Sequence, residues 1–118
     1  MPFKNILKDL VECTPGAVDA IMVDWEGEAV QEYCPGDPYE IRCIAAHAGI
    51  ILSRFKEIHS AGQGGAVEDV VMTTRDVHLV AGCIDRDYTL VLRVGRNCPV
   101  SLALRPFRAA VGELRGLV

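Results

Sequence analysis

The sequence predicts a three-layer α/β/α sandwich, of the α/β (α+β) class, built on a five-stranded and mainly antiparallel sheet. Three observations predict it. Apolar residues recur at helical spacing in three segments and at strand spacing in five, in the order α-β-β-α-β-β-β-α. All strand connections but one are short, which suits antiparallel neighbours. The strands carry apolar residues on both faces, so both faces need cover, and three helices supply it. The 118 residues read as one domain over 1–118, long enough to bury a core, with no internal repeat or low-complexity segment.

The elements follow in order. Phe3, Ile6, Leu7, Leu10 and Val11 recur at i, i+3, i+4, i+7 and i+8, a one-faced helix over 2–13 that "TPG" (14–16) stops. "AVDAIMVDW" (17–25) is a strand covered on both sides, with Val18, Ala20 and Met22 on one face and Ala17, Ile21, Val23 and Trp25 on the other. "EGE" (26–28) turns the chain into a hairpin partner, "EAVQEYC" (28–34). In "PGDPYE" (35–40), Asp37 is placed to cap a helix, Pro38 suits its first position, and Glu40 stands where a capping box puts its carboxylate.

The helix that follows, over 41–58, carries more apolar surface than one sheet needs. At about 100° per residue, Ile41, Ile44, Ala45, Ala48, Ile51, Leu52, Phe55 and Ile58 fill an arc of roughly 140°. Ile50 and Cys43 fall outside that arc, beyond His47 and Arg54, while Ala45, Gly49 and Ser53 form a ridge with almost no side chain. The helix frays into "SAGQGG" (60–65). Three strand runs come next, "AVEDVVMTT" (66–74), "VHLVAGCI" (77–84) and "YTLVLRVG" (88–95), joined by the hairpin loops "RD" and "DRD". A helix over 99–115 closes the chain, and Pro106 is expected to kink or split it.

Composition excludes several classes. Half of the residues are hydrophobic and net charge is −4, so the chain reads as globular, without the basic footprint of a nucleic-acid binder. No apolar run is long enough to span a membrane, and "MPFKNILKDLVEC" lacks the apolar block of a signal peptide. Cys13, Cys34, Cys43, Cys83 and Cys98 are odd in number and irregularly spaced, which fits free thiols in a reducing cytoplasm.

Candidate chemistry is sparse. "SAGQGGAVED" follows a helix, precedes a strand and has no nearby lysine, the reverse of a phosphate-binding loop. Cys43 and His47 lie one turn apart, with His59 beyond, but no cluster completes a zinc site. Cys34 or Cys98 could meet His78 only through the fold, and neither has an activating neighbour in sequence. Asp24/Glu26 and Asp85/Asp87 sit at hairpin tips, where acids serve turn geometry. No cofactor, no metal and no enzyme activity are expected.

Nearly the whole chain resembles the Roadblock / dynein light chain 7-type domain family. The stretches that carry the resemblance are "PGAVDAIMVDWEGEAV" (15–30), the small-residue-rich central helix, and "VEDVVMTTRDVHLVAGCIDRDYTLVLRV" (67–94). The resemblance implies a profilin-like sandwich that homodimerises and has no active site of its own. It implies a regulator or scaffold of a Ras-like small GTPase, similar to the mutual-gliding GTPase-activating partner of cell polarity and motility, with a dynein-light-chain-like structural adaptor as the alternative. A small enzyme or ligand sensor on the same sandwich is the rival from another class.

The resemblance also gives the surplus surface of 41–58 a partner, the same helix of a second subunit. Ala45, Gly49 and Ser53 then allow close approach, Ile50 and Cys43 fill the seam, and a bulky charge at Gly49 is expected to separate the subunits or unfold them. The strand of 66–74, with Val67, Asp69 and Val71, has no Lys or Pro to guard an edge and is expected to pair across the two-fold axis. Arg42, Ala46, Arg54, Lys56 and Glu57 are the expected partner-binding strip. Arg75 and Arg86 are the loop arginines placed to project. Partners are thus a second copy and a GTPase, with no nucleic acid and no membrane.

Overall fold

The structure, a computed structural model, describes residues 2–60 and 67–118, with the side chains of 58–60 left aside. The elements are α1 (Pro2–Cys13), β1 (Ala17–Asp24), β2 (Ala29–Tyr33), α2 (Tyr39–Ser60), β3 (Asp69–Thr73), β4 (Val77–Cys83), β5 (Tyr88–Gly95) and α3 (Ser101–Arg115). This is the expected order. The strand expected over 66–74 is shorter, and most of the glycine-rich connector lies outside the described residues, as does Ala66.

The sheet runs β2-β1-β5-β4-β3, and every neighbouring pair is antiparallel. β2 and β3 are therefore the edges, and α2 carries the chain from one edge to the other. Local chemistry shapes the joints. Asp24 Oδ1 accepts the backbone N–H groups of Glu26 and Glu28, and Gly27 takes the positive φ of +84° that the turn requires. Gly16, at φ +78°, leaves no room for a side chain, since a Cβ there would lie 2.1 Å from Cys98 Sγ.

Asp37 caps α2 as expected, accepting the Tyr39 N–H at 3.0 Å. Glu40 does not close a capping box; it accepts from Arg93 Nη1 at 2.9 Å instead. Pro106 does not split the last helix, which runs unbroken through it. The missing N–H falls early in the helix, and Ala103, Phe107, Ala110, Val111 and Leu114 hold one face of the helix on the core.

The core has two halves. On one sheet face, Ala20, Met22, Val80, Leu90, Leu92 and Val94 meet Leu7, Leu10 and Val11 of α1 and the apolar face of α3. On the other, Ile21, Val23, Ala81 and Val91 meet Ile41, Ala45 and Ala48 of α2, with Cys34, Val70 and Met72 packed at the margin. The buried stripe of α2 is narrower than the expected arc: Ile41, Ala45, Ala48 and Leu52 are buried, Ile44 is half-buried, and Ile51 and Phe55 are exposed. A helix over the middle of a sheet reaches it along one row of side chains, and the flanks of the arc stand clear of it.

Candidate functional site

Among the described residues, the outer half of α2 presents surface that no other element buries. Its two flanks differ. On the flank from which Arg42 pairs with Glu32 of β2, the helix borders a cleft of about 350 Å³. Ala46, Gly49 and Ser53 form its small-residue side, and the β1–β2 turn (Asp24–Gly27) and the β4–β5 turn (Asp85–Asp87) form its walls. Asp85 Oδ1 accepts the N–H groups of Asp87 and Tyr88 and holds the second turn as Asp24 holds the first. Glu26, Asp87, Lys56 and Arg86 also line the cleft, and none has a side-chain partner among the described residues.

On the opposite flank of the helix, Ile44, Ile51 and Phe55 lie in one band, and Phe55 is 47% exposed. Beyond them Val70 and Met72 of β3 are half-buried on the same sheet face. Among the described residues, apolar helix surface and an edge strand with open backbone groups are thus both left uncovered.

The residues expected at the site divide between these regions. Ala46, Arg54, Lys56 and Glu57 of the partner-binding strip all line the cleft, together with Gly49, Ile50 and Ser53 of the expected seam. Arg54 pairs with Glu57 at 3.5 Å. Arg42 stands apart, its guanidinium held by Glu32, whose hydrogen bond raises the Arg42 pKa. Cys43 is exposed, and its carbonyl accepts the His47 Nδ1–H at 2.8 Å. Ala45 departs from expectation: it is fully buried against its own sheet, so the small-residue ridge open to a partner is Gly49 and Ser53 alone. Val67, Asp69 and Val71 are at the β3 edge, away from the cleft. Val71 is exposed, and Asp69 is tied to Arg108 of α3 at 3.0 Å.

Among the described residues, no thiol and imidazole are hydrogen-bonded as a nucleophile and base, and His59 lies outside the described side chains. Both ring nitrogens of His78 are engaged, Nδ1 with Thr73 Oγ1 at 2.8 Å and Nε2 with the Arg96 carbonyl at 3.1 Å. The Cys34 thiol donates to Asp19 Oδ2 at 3.4 Å, and burial, aided by that carboxylate, pushes its pKa up, away from nucleophilic use. Among the described residues, no three His, Cys, Asp or Glu side chains gather where a metal ion could sit, and no helix is long and apolar enough to cross a membrane.

Sequence reasoning missed two features. Trp25, read as the end of a strand, projects at the turn and borders the cleft. Asp19, fully buried on β1, accepts a bidentate pair from Arg93 of β5 at 3.0 and 2.5 Å, and that hydrogen bonding raises the Arg93 pKa against the effect of burial. With Glu40 on the same guanidinium, this pair pins the start of α2 to the sheet. Its signal in the sequence was one acid and one base, each alone inside an apolar strand.

No family model and no curated protein matches the sequence. Solved structures do match the fold. A Roadblock/LC7 domain from Streptomyces avermitilis superposes with a TM-score of 0.85 at 20% identity, over 97% of this chain and 95% of that one. MglB of Myxococcus xanthus gives 0.86 at 11% identity, over 99% and 94%. Profilin IA of Acanthamoeba castellanii gives 0.60 at 12% identity, over 98% of each chain. The fold is therefore that of Roadblock/LC7 domains, within the wider profilin-like architecture.

Proposed function

We propose that the chain is a single-domain, non-enzymatic homodimeric regulator or scaffold of a Ras-like small GTPase, working in the cytoplasm. The observation that carries the reading is the α2 flank with Ile51 and Phe55. These large apolar side chains face water, and the sheet that α2 covers ends in β3, an edge strand whose backbone is open to pairing. A second copy about a two-fold axis covers helix and strand at once, bringing in the Val67–Val71 edge. The cleft side of α2 stays open in such a pair, and its two copies make one platform for a GTPase. Support for that partner is the resemblance of residues 15–30 and 67–94, together with the fold shared with MglB.

Such a regulator acts by ordering the switch residues of the GTPase rather than by inserting a catalytic arginine. Light scattering at micromolar concentration is expected to give the mass of two chains. Ile51→Ser with Phe55→Ser should give a folded monomer, whereas Gly49→Glu should remain dimeric, because a Cβ on Gly49 meets nothing within 4 Å and faces the cleft. In GTP hydrolysis by a Ras-like GTPase encoded beside this chain, Ser53→Trp, which fills the cleft, should reduce stimulation more than Arg75→Ala or Arg86→Ala. A wild-type monomer sinks the dimer. Loss of stimulation in either arginine variant, with binding retained, replaces the platform with an inserted arginine. A dimer that binds its partner without changing hydrolysis is the structural adaptor.

A further inference from the structure

Trp25 is the chain's one tryptophan, and it is 74% exposed at the tip of the β1–β2 turn. Leaving an indole in water forgoes a large burial gain, so a position that does so at the rim of a cleft is suited to a partner. The cleft beside it is shallow and lined on the helix side by Ala46, Gly49 and Ser53. Its charge is uneven. Five carboxylates and three cations line it, in a chain whose net charge is −4. In each turn one carboxylate is spent on the backbone, and the other, Glu26 in the first and Asp87 in the second, is left without a partner among the described residues.

We propose that this cleft receives a basic segment of a partner protein, with an arginine or lysine side chain lying across the Trp25 indole and its cationic head directed to Glu26 and Asp87. Tryptophan offers the strongest cation–π face of the aromatic side chains, and a guanidinium stacks on it as a plane, so arginine is favoured over lysine. The carboxylates supply the charge complement that a neutral or acidic segment lacks. A volume of about 350 Å³ suits one or two large side chains rather than a folded element. The inference rests on the reading that the cleft side of α2 is where a partner docks, and it names the chemistry of the docking segment.

A single tryptophan makes intrinsic fluorescence a reporter of this one place. The full chain is titrated with the peptide Gly-Arg-Gly-Arg-Gly-Arg and with its lysine and glutamate counterparts. The arginine peptide should change the emission saturably, the lysine peptide should bind roughly three- to ten-fold more weakly, and the glutamate peptide should have no effect. Binding should weaken as salt rises, because the cleft is open to solvent. Glu26→Gln with Asp87→Asn should lower affinity by about five-fold or more. Asp9→Asn with Glu113→Gln, which removes the same charge from α1 and α3, should change it by less than about two-fold. Trp25→Phe, followed by calorimetry, should weaken binding without abolishing it.

An equal loss in the two charge-matched pairs means that net charge alone attracts the peptide, and the proposal falls. It falls equally if the arginine peptide gives no saturable change. The titration contains no GTPase, so the two readings fail separately. Normal GTPase stimulation by the Glu26→Gln, Asp87→Asn variant keeps the regulator and discards the basic segment. Peptide binding as described, with no effect on any Ras-like GTPase, does the reverse.

Discussion

The two faces of the sheet are closed to different degrees. Under α1 and α3 the cover is continuous, with helix packed beside helix and Phe107 fully buried at its centre. Under α2 the cover is one helix wide, and beside it lie an apolar flank, a cleft and an exposed tryptophan. Both faces began as apolar strand residues. The difference shows that closing a sheet and covering a surface are separate tasks: one face is sealed by two packed helices, and the other keeps large apolar side chains in water.

The sharpest way to break this comparison is to remove one phenylalanine from each face. Phe107→Ala should cost about 3–5 kcal/mol, because the ring lies tightly under the sheet and a Cβ on Gly82 would approach its Cε2 to 2.7 Å. Phe55→Ala should cost the isolated subunit less than about 1 kcal/mol, since its side chain already meets water. Urea unfolding at concentrations where only the monomer is present measures both. Equal losses would mean that the two faces are built alike.

A smaller loss is expected at the point where the α2 face carries charge inside. Arg93→Ala leaves the Asp19 carboxylate buried without its partner, at a cost of about 3 kcal/mol, the low end for such pairs because the arginine keeps 11% exposure. Replacing the pair by Asp19→Leu with Arg93→Leu should recover most of that loss in the same unfolding assay, since two apolar side chains avoid desolvating either ion. No recovery would mean that the pair positions α2 rather than simply satisfying itself.

The mildest test separates thiols by face and depth. Iodoacetamide at pH 8 should modify Cys13 and Cys43 first, because both are exposed. Cys34 should lag several-fold behind, since a raised pKa leaves less thiolate at any given pH. Peptide mass spectrometry over time gives the order. Rapid labelling of Cys34 would mean that the Asp19 cluster opens readily.

Periodicity and turn chemistry made the fold legible. The eight elements, the Asp37 cap and the Asp24 and Asp85 turns follow from local spacing, and local spacing is what short-range hydrogen bonds obey. The site was legible only in part. A helical wheel orders residues around an axis but does not say which strand lies beneath each flank. Ala45 belonged both to the sheet-facing arc and to the small-residue ridge, and only packing could decide that it is core. The wheel placed Ala45, Gly49 and Ser53 on one ridge, whereas the fold buries Ala45 and leaves Gly49 and Ser53 beside the cleft. The Asp19–Arg93 pair joins residues far apart in sequence, and its register exists only once β1 and β5 are side by side.

That adjacency sets the timetable of synthesis. β1 occupies the second place in the sheet, yet its inner neighbour, β5, ends at Gly95, 71 residues after β1 ends at Asp24 (95 − 24). At a ribosomal rate of roughly 5–20 residues per second, about 4–14 s pass before that pairing can form. Throughout that interval the nascent chain carries a strand apolar on both faces with one ladder unsatisfied. Contacts of such long sequence separation also make folding slow once the chain is released. The chain is therefore most exposed to aggregation before its last strand emerges, and a chaperone acting on the N-terminal hairpin would be of most use to it then.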